Sequence, residues 1–309
     1  MKVLITGGAG FVGSHVVDSM VAAGHEPRIF DLIPSQYHCP AEFDTFIGDL
    51  TDPEAVAYAA QGCDAIAHLA AVADVSEVAA DPAFAQRVNA GGTANVLEAA
   101  RTHGIGRVLY ASTIWVYDGH ESDTVDEDTA LLLPRHPYTA QKLAGEMYCS
   151  SYAELYDVDY TILRFGIPYG PRARPAAVIP SFFKNALAGH PLTIAGGGQQ
   201  SRRFTYVGDI ARGVAMALAP EARNRVYNLA SQETETILQL ATAVSEIVGD
   251  TDIMHTEGRA GDFRGAEISS ARIARELGWS ASTTLEEGLS LYYHWVTSEA
   301  EPAGVDPVG

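Results

Sequence analysis

This chain is poor in cysteine and lysine, and it lacks any long apolar run. Its 309 residues include three cysteines, Cys39, Cys63 and Cys149. Their odd number and scattered positions match neither a disulfide framework nor the ligand spacing of a zinc site. We therefore predict reduced thiols, a cytoplasmic location and no metal. No segment is apolar for long enough to cross a bilayer, and Met1 leads directly into a strand-like run, so we expect neither a membrane span nor a signal peptide.

Positive charge is also scarce. The chain carries 20 lysine and arginine residues against 39 aspartate and glutamate residues, which gives a formal net charge of −19. Such acidity disfavours nucleic acid or an anionic membrane as a partner. An anionic small molecule would need local arginines to overcome the overall field.

Regularly spaced glycines open the chain. A short apolar run ends at Gly7, and glycines recur at Gly10 and Gly13 as a helical pattern begins. In dinucleotide-binding folds these glycines allow a tight turn, a close approach of backbone to pyrophosphate, and close packing of the helix. The helix N-terminus would attract the phosphates. We predict dinucleotide binding here, with Phe11 and Val12 in the loop; the alternative is a glycine turn without a ligand.

An acidic residue, Asp31, ends the next strand-like run, Pro27 to Asp31. Its distance from the glycine motif is close to the roughly 20 residues expected of a carboxylate that binds the adenosine ribose. A carboxylate there would repel a 2′-phosphate. The sequence therefore favours NAD over NADP as the cofactor.

Two later segments sit where strand ends would line a cofactor. Asp49 and Leu50 follow the third strand, and they predict either part of an adenine pocket or only a helix-capping turn. The buried strand that ends at His68 runs into small residues that would let a cofactor lie against backbone; they are Leu69, Ala70 and Ala71. His68 has no second ligand at metal spacing, so we interpret it as a core histidine.

Polar residues in the next two elements also point to a site. Asn89 lies within a run of helical periodicity from Phe84 to His103, where its side chain needs a partner. Ser112 and Thr113 end the strand that starts at Arg107. Ligands bind beyond the carboxyl ends of parallel strands, so both hydroxyls are placed at the site unless they only cap a turn.

Tyr138 and Lys142 are four residues apart at the start of a predicted helix, and they therefore share one helical face. One interpretation is a surface pair. The other is a phenol whose pKa is lowered by the neighbouring ammonium, so that it acts as a general base near neutral pH.

The alternation of strands and helices predicts an α/β fold. We expect a doubly wound, parallel-sheet Rossmann domain over residues 1–165. A turn-rich linker then leads into a smaller mixed α/β lobe over residues 166–298, which we expect to bind substrate, with some segments returning to the first domain. Residues 299–309 are expected to form a flexible tail.

These motifs together resemble the extended short-chain dehydrogenase/reductases, and within them the NAD-dependent nucleotide-sugar epimerase/dehydratase group. They follow the order of that family from the first strand to about Trp279. The residues that carry the resemblance are Thr6 to Gly13, Asp49-Leu50, His68 to Ala71, Asn89, Ser112-Thr113, Tyr138-x-x-x-Lys142, Arg164, Tyr169-Gly170-Pro171, Arg202-x-Phe204-x-Tyr206 and Arg259-x-Gly261-Asp262.

The resemblance implies a role for several of these side chains. Tyr138 would be the catalytic base, and Lys142 would hold the ribose and lower the pKa of the tyrosine. Thr113 would hydrogen-bond the reacting sugar hydroxyl. Arg202 and Arg259 would bind the nucleotide diphosphate, as bidentate guanidinium chemistry allows. A homodimer formed through the helices that begin near Phe84 and Tyr138 is also implied.

The reaction follows from a residue that the chain lacks. Dehydratases and decarboxylases of this family carry an acid just after the hydroxyl that matches Thr113, whereas this chain has Ile114 and Trp115 before the Val-Tyr pair. Simple 4-epimerisation through a 4-keto sugar is therefore favoured.

The segment Tyr169 to Pro175 suggests which sugar is bound, because it resembles the corresponding segment of UDP-glucuronate epimerases. The resemblance implies that Arg174 lies near the carboxylate of the substrate. Ile167 replaces a polar family residue and removes a contact to substrate. We predict a UDP-glucuronate 4-epimerase. The first alternative is UDP-glucose/UDP-galactose 4-epimerisation, in which Arg174 would bind the nucleotide or lie in the linker. The others are another epimerase/dehydratase activity and a non-catalytic NAD-binding protein.

Overall fold

A computed structural model describes residues 1–120, 124–257 and 267–300, with side chains to residue 298. The strands are β1 Lys2–Thr6, β2 Glu26–Asp31, β3 Asp44–Ile47, β4 Ala65–His68, β5 Arg107–Thr113, β6 Thr124–Val125, β7 Asp159–Phe165, β8 Ile167–Tyr169, β9 Leu192–Ala195, β10 Ser201–Arg202, β11 Phe204–Tyr206, β12 Arg225–Leu229, β13 Glu235–Thr236, β14 Ile253–Thr256 and β15 Glu267–Ile268.

The α-helices alternate with these strands through the first half of the chain. They are α1 Phe11–Ala22, α2 Pro53–Ala60, α3 Val75–Ala80, α4 Pro82–Gln86, α5 Gly92–His103, α6 Pro137–Tyr156, α7 Val178–Leu187, α8 Val207–Met216, α9 Ile237–Val248, α10 Ala271–Leu277 and α11 Leu285–Ala300. Short 3-10 turns cover Ile114–Tyr117 and Pro220–Ala222. None of the helices in the described part of the chain is long and apolar enough to cross a membrane.

Seven strands form the central sheet in the order β3-β2-β1-β4-β5-β7-β12, and every neighbouring pair is parallel. The chain winds in one direction from β1 to β3 and in the other from β4 onward. The strand order therefore reverses between β1 and β4, which is where a doubly wound sheet binds its ligand. The predicted doubly wound α/β fold is confirmed.

Each face of this sheet is covered by its own hydrophobic cluster. On one face, Val16, Val17 and Met20 of α1 pack with Ile210 and Val214 of α8. Residues of α2 and α5 cover the other face. The helix α8 and the strand β12 thus follow the linker in sequence but belong to the sheet domain in space. We propose that they are the segments that return to the unit formed by residues 1–165.

The smaller lobe has its own core, built around Phe183 of α7, Leu240 of α9 and Leu289 of α11. Its short strands pair outside the main sheet; β8 pairs with β11, and β9 pairs with β14. The linker leads from the end of β7 directly into β8. The cavity described below is lined both by the sheet domain and by this linker.

The continuous helix expected from Phe84 to His103 is interrupted. A π-helical turn, Arg87–Gly91, separates α4 from α5. Gly92 begins α5, and its Cα lies so close to Leu50 that an added Cβ would overlap that side chain. Such turns often occur at functional sites, and this one carries Asn89.

Candidate active site

The glycine loop has the close packing that its sequence predicts. Gly7 has a φ of +74°, and a Cβ added there would lie 2.8 Å from the backbone nitrogen of Ala70. A Cβ on Gly13 would overlap the carbonyl oxygen of Gly7. Helix α1 starts at Phe11 without a side-chain cap, and its first turn contains no acidic residue. Its N-terminal N–H groups and partial positive charge therefore suit a phosphate group.

Asp31 lies beside this loop at the end of β2. Its carboxylate accepts hydrogen bonds from the backbone N–H of Ala9 at 3.0 Å and of Leu32 at 2.8 Å. The loop, the helix terminus and the carboxylate are thus together at the reversal point of the sheet. This arrangement fits the pyrophosphate and the adenosine ribose of NAD.

Asp31→Asn should weaken NAD binding about 10- to 100-fold, the effect of losing hydrogen bonds to a charged group. The preference for NAD over NADP should also fall, because the 2′-phosphate would no longer meet a negative charge. Titration calorimetry with both cofactors measures the change. Asp52→Asn is the control, since Asp52 only caps α2. An unchanged ratio of the two affinities would contradict the role of Asp31.

The contacts of Asp49 and Leu50 match the capping-turn alternative. Asp49 Oδ1 accepts a hydrogen bond from the N–H of Thr51 at 2.8 Å. Leu50 is buried against α5, and its carbonyl accepts from Asn95 Nδ2 at 3.0 Å. A contribution of these two residues to an adenine pocket remains a prediction.

His68 is a core histidine, as its sequence context predicts. Nδ1 lies 2.7 Å from Thr6 Oγ1, and Nε2 lies 3.0 Å from Thr93 Oγ1. Burial lowers the pKa of His68 to about 3, so the ring is neutral. Thr6 Oγ1 also accepts from the N–H groups of Leu69 and Ala70, at 3.2 Å each. His68 thereby supports the backbone after β4. The described residues contain no cluster of three groups suited to a metal.

Asn89 holds the same segment from the other side. Its Oδ1 accepts from the N–H of Val72 at 2.8 Å, and its Nδ2 donates to the Val72 carbonyl at 3.0 Å and to Gln141 Oε1 at 2.8 Å. Both amide hydrogens are thus engaged by the protein. Any effect of Asn89 on the cofactor would pass through the backbone near Ala70, Ala71 and Val72.

Thr113, Tyr138 and Lys142 meet at one cavity of about 360 Å³. Thr113 ends β5, and Tyr138 lies in the first turn of α6, where its N–H donates to His136 Nδ1 at 3.1 Å. The hydroxyl of Thr113 lies close enough to the Tyr138 phenol to lower its pKa, and it accepts from the N–H of Trp115 at 3.2 Å. Other residues of the lining are Phe11, Val12, Leu69, Ala71, Ala73, Asp74, Val75, Ala111, Ser112, Phe165, Gly166, Ile167, Pro168, Ala173, Arg174 and Ala177.

The predicted lowering of the Tyr138 pKa is wrong for this arrangement. Burial raises the pKa of Tyr138 to about 12, against the opposing effects of the Thr113 hydrogen bond and the charge of Arg174. Lys142 Nζ donates to the carbonyl of Ala111 at 2.9 Å. Burial lowers the pKa of Lys142 to about 8, partly offset by Glu146. Desolvation therefore sets the direction of both pKa shifts, and the charge of Lys142 is not among the causes that act on Tyr138.

A buried network that includes Glu146 lies beside these residues. Its carboxylate accepts from Arg164 Nη2 at 2.7 Å and Nε at 3.0 Å, and from the hydroxyl of Ser112. Arg164 Nη1 donates to the Tyr117 hydroxyl at 2.7 Å, which donates to Asn228 Oδ1 at 2.9 Å. Sequence reasoning missed Glu146, although its position four residues after Lys142 places it on the same helical face.

The predicted substrate arginines occupy different places. Arg174 lines the cavity, and its Nη1 lies 3.5 Å from Asp74 Oδ2 at the rim, with 55% of the side chain exposed. Arg202 lies on β10 outside the lining of this cavity, and its Nη1 donates to the Ser201 carbonyl at 2.8 Å. Arg259 lies outside the described residues. Ile167 is at the cavity, where its apolar side chain gives no polar contact.

Known proteins share this fold along nearly the whole chain. The family model "NAD dependent epimerase/dehydratase family" matches residues 3–230. A UDP-glucose 4-epimerase of Mycolicibacterium smegmatis is 32% identical over 304 residues, covering 94% of this chain and 96% of that protein. The crystal structure of a UDP-glucose 4-epimerase with UDP-glucose from Thermotoga maritima superposes with a TM-score of 0.91 at 29% identity, over 97% of this chain and 100% of that one.

A second similar structure is MoeE5 in complex with UDP-glucuronic acid and NAD. It has a TM-score of 0.88 and 28% identity, and the match covers 97% of this chain and 100% of that one. The similarity thus extends through both the cofactor region and the smaller lobe. The chain belongs to the NAD-dependent epimerase/dehydratase family.

Proposed function

We propose that this protein is a UDP-sugar 4-epimerase that converts UDP-glucuronate to UDP-galacturonate. The observation that carries the proposal is the presence of Arg174 at the cavity that also contains Thr113, Tyr138 and Lys142. The nearest alternative is interconversion of UDP-glucose and UDP-galactose. The similarity to UDP-glucose 4-epimerases favours this alternative.

Tyr138 and Thr113 of the cluster have distinct tasks in this reaction. Tyr138 takes the proton of the sugar 4-hydroxyl and later returns it, and Thr113 orients that hydroxyl. NAD held by the glycine loop and Asp31 would supply the hydride acceptor and donor for C4. Tyr138 has to be deprotonated to act as a base. Its pKa of about 12 therefore means that nearby positive charge must stabilise the phenolate.

Among the described residues that line the cavity, no acid is suited to elimination. Ile114 packs into a hydrophobic cluster with Val116 and Leu143. Asp74 is the carboxylate in the lining. Its pKa is lowered chiefly by the hydrogen bond from the Ser76 N–H, so it holds a proton poorly. This absence among the lining residues supports epimerisation rather than dehydration.

Arg174 is suited to binding a sugar carboxylate. The chain as a whole is acidic, so an anionic sugar needs a local positive charge of this kind. Its ion pair with Asp74 is long and partly exposed, so it costs little to exchange for another carboxylate. A carboxylate on the sugar would form a charge-assisted pair there. Arg202 and Arg259 are proposed to bind the diphosphate.

Proton NMR of the purified protein with UDP-glucuronate, and separately with UDP-glucose, tests this proposal. We expect the galacturonate form to appear. Arg174→Ala should lower kcat/KM for UDP-glucuronate about 10- to 100-fold, as expected for loss of a hydrogen bond to a charged group, and change UDP-glucose turnover by less than about threefold.

Arg223→Ala is the matched control. Arg223 is also exposed, lies 3.5 Å from an aspartate, Asp159, and precedes β12 at the amino ends of the strands, whereas the cavity lies at the carboxyl ends of β5 and β7. Turnover of UDP-glucose alone by the wild-type protein would support the alternative and assign Arg174 to the nucleotide or the linker. NAD binding without turnover of either sugar would support a non-catalytic protein.

We also propose a cytoplasmic homodimer formed through α5 and α6. Met147 and Leu155 of α6 are 65% and 69% exposed, and Tyr148 and Tyr156 on the same helix are 41% and 48% exposed. Exposed apolar residues on one helix are typical of an interaction surface. Sedimentation velocity distinguishes a dimer from a monomer, and a monomer at micromolar concentration would argue against it.

A further inference from the structure

Trp115 is a large apolar side chain left exposed at the catalytic cavity. It follows Thr113 by two residues, in the 3-10 turn Ile114–Tyr117. Ile114, Val116 and Tyr117 of that turn pack into a hydrophobic cluster in the protein. Trp115 instead lines the cavity and is 39% exposed. The turn therefore directs one aromatic ring to the place where the sugar would react.

The backbone of Trp115 is joined to the catalytic hydroxyl. Its N–H donates to Thr113 Oγ1 at 3.2 Å, and the same hydroxyl lowers the pKa of the Tyr138 phenol. The backbone that carries the indole is thus fixed next to the atoms that handle the 4-hydroxyl. A contact between ring and sugar would lie within one or two residues of the chemistry.

A 4-epimerase has an unusual requirement for such a contact. Hydride has to leave one face of C4 and return to the other, so the sugar must be held in two orientations. Hydrogen bonds to individual hydroxyls are directional and are lost when the ring turns. Packing of C–H groups on an aromatic face is much less directional, and an indole offers a broad, flat surface with a negative face.

We propose that Trp115 is a substrate-binding residue, the platform on which the sugar ring rests in both orientations. This inference rests on the proposed 4-epimerase function. The platform retains the 4-keto sugar while the sugar turns. Thr113 and Tyr138 contact the C4 oxygen both before and after this rotation. Trp115 accordingly determines how often an oxidised sugar is reduced again before it escapes.

Intrinsic fluorescence tests the contact without relying on turnover. The other two tryptophans are remote from the cavity lining: Trp279 is fully buried and donates to the Asp209 carbonyl, and Trp295 packs on Tyr292 in the smaller lobe. With NAD present throughout, UDP-glucuronate or UDP-glucose should change the emission more than UDP alone does. The additional change should be lost in Trp115→Phe and kept in Trp295→Phe. Equal responses to UDP and to the sugar nucleotides, or a response that persists in Trp115→Phe, would overturn the proposal.

Kinetics separate a platform from a merely structural side chain. Trp115→Ala should raise KM for the sugar nucleotide about tenfold without changing UDP affinity, whereas Trp115→Phe, which keeps an aromatic face, should stay within about threefold. Trp115→Ala should also accumulate absorbance at 340 nm during turnover, because each escaping 4-keto sugar leaves its two electrons on the cofactor. Unchanged KM and no rise at 340 nm would refute the platform.

These readouts also separate the inference from the proposed function. If neither sugar is epimerised but the Trp115-dependent fluorescence change is seen, the platform stands as a sugar contact and the proposed reaction falls. If epimerisation proceeds unchanged in Trp115→Ala, the proposed function stands and the platform falls.

Discussion

Tyr138→Phe should reduce turnover about 10²- to 10⁴-fold, the usual contribution of a positioned general base. The change removes one oxygen from a side chain that lines the cavity together with Thr113. The ring remains in place, so we expect an unchanged unfolding midpoint. NAD binding should persist, because the glycine loop and Asp31 do not depend on the phenol. Turnover by NMR, calorimetry with NAD and thermal unfolding measure the three quantities.

Tyr148→Phe is the matched control for this variant. Tyr148 lies on the same helix but is 41% exposed and outside the cavity lining. Its loss should leave turnover unchanged. Full activity in Tyr138→Phe would refute the assignment of the base.

The pH dependence of the wild-type rate carries a second signature of Tyr138. Burial raises its pKa to about 12 in this structure, so the phenolate is the minor form at neutral pH. The phenolate fraction, and with it the rate, should rise with pH until the pKa of the complex is reached. The residual rate of Tyr138→Phe should lack this rise.

Glu146→Gln should destabilise the fold by about 3–5 kcal/mol, the cost of leaving one partner of a buried ion pair uncompensated. The side chains of Glu146 and Arg164 are 9% and 5% exposed, and two hydrogen bonds join them. Burial opposes the charge of Arg164, but the bonds to Glu146 outweigh this and raise its pKa. Without the carboxylate, the guanidinium would remain charged in an apolar interior.

Urea unfolding measures this loss, and two further variants define its cause. The double variant Glu146→Gln with Arg164→Met should lose less stability than Glu146→Gln alone, because no buried charge remains. Glu154→Gln is the control, since Glu154 is exposed on the same helix. A loss below about 1 kcal/mol in Glu146→Gln would contradict the role of the ion pair.

Glu146 also links stability to the site. Its carboxylate accepts from Ser112, next to Thr113, and its charge partly offsets the lowering of the Lys142 pKa. One helical face thus carries Tyr138, Lys142 and Glu146 in successive turns. The network stabilises the carboxyl ends of β5 and β7. Thr113 is the last residue of β5, and the linker follows β7.

The sequence by itself determined the fold class and the position of the cofactor region. The spacing of Gly7, Gly10 and Gly13 and the placement of Asp31 after a second apolar run are local patterns, and the geometry that they require is also local. The Tyr138–Lys142 pair was likewise visible, because residues four apart share a helical face. Family membership followed from the order of such motifs along the chain.

Only the tertiary structure decided how these groups behave. It raised the pKa of Tyr138, engaged Asn89 with Val72, joined Glu146 to Arg164 and turned Trp115 rather than Ile114 toward the cavity. Desolvation and side-chain pairing depend on which distant segments pack together, and no local spacing specifies that. The return of β12 to the edge of the sheet, next to β7, has the same cause: burial of surfaces that are far apart in sequence.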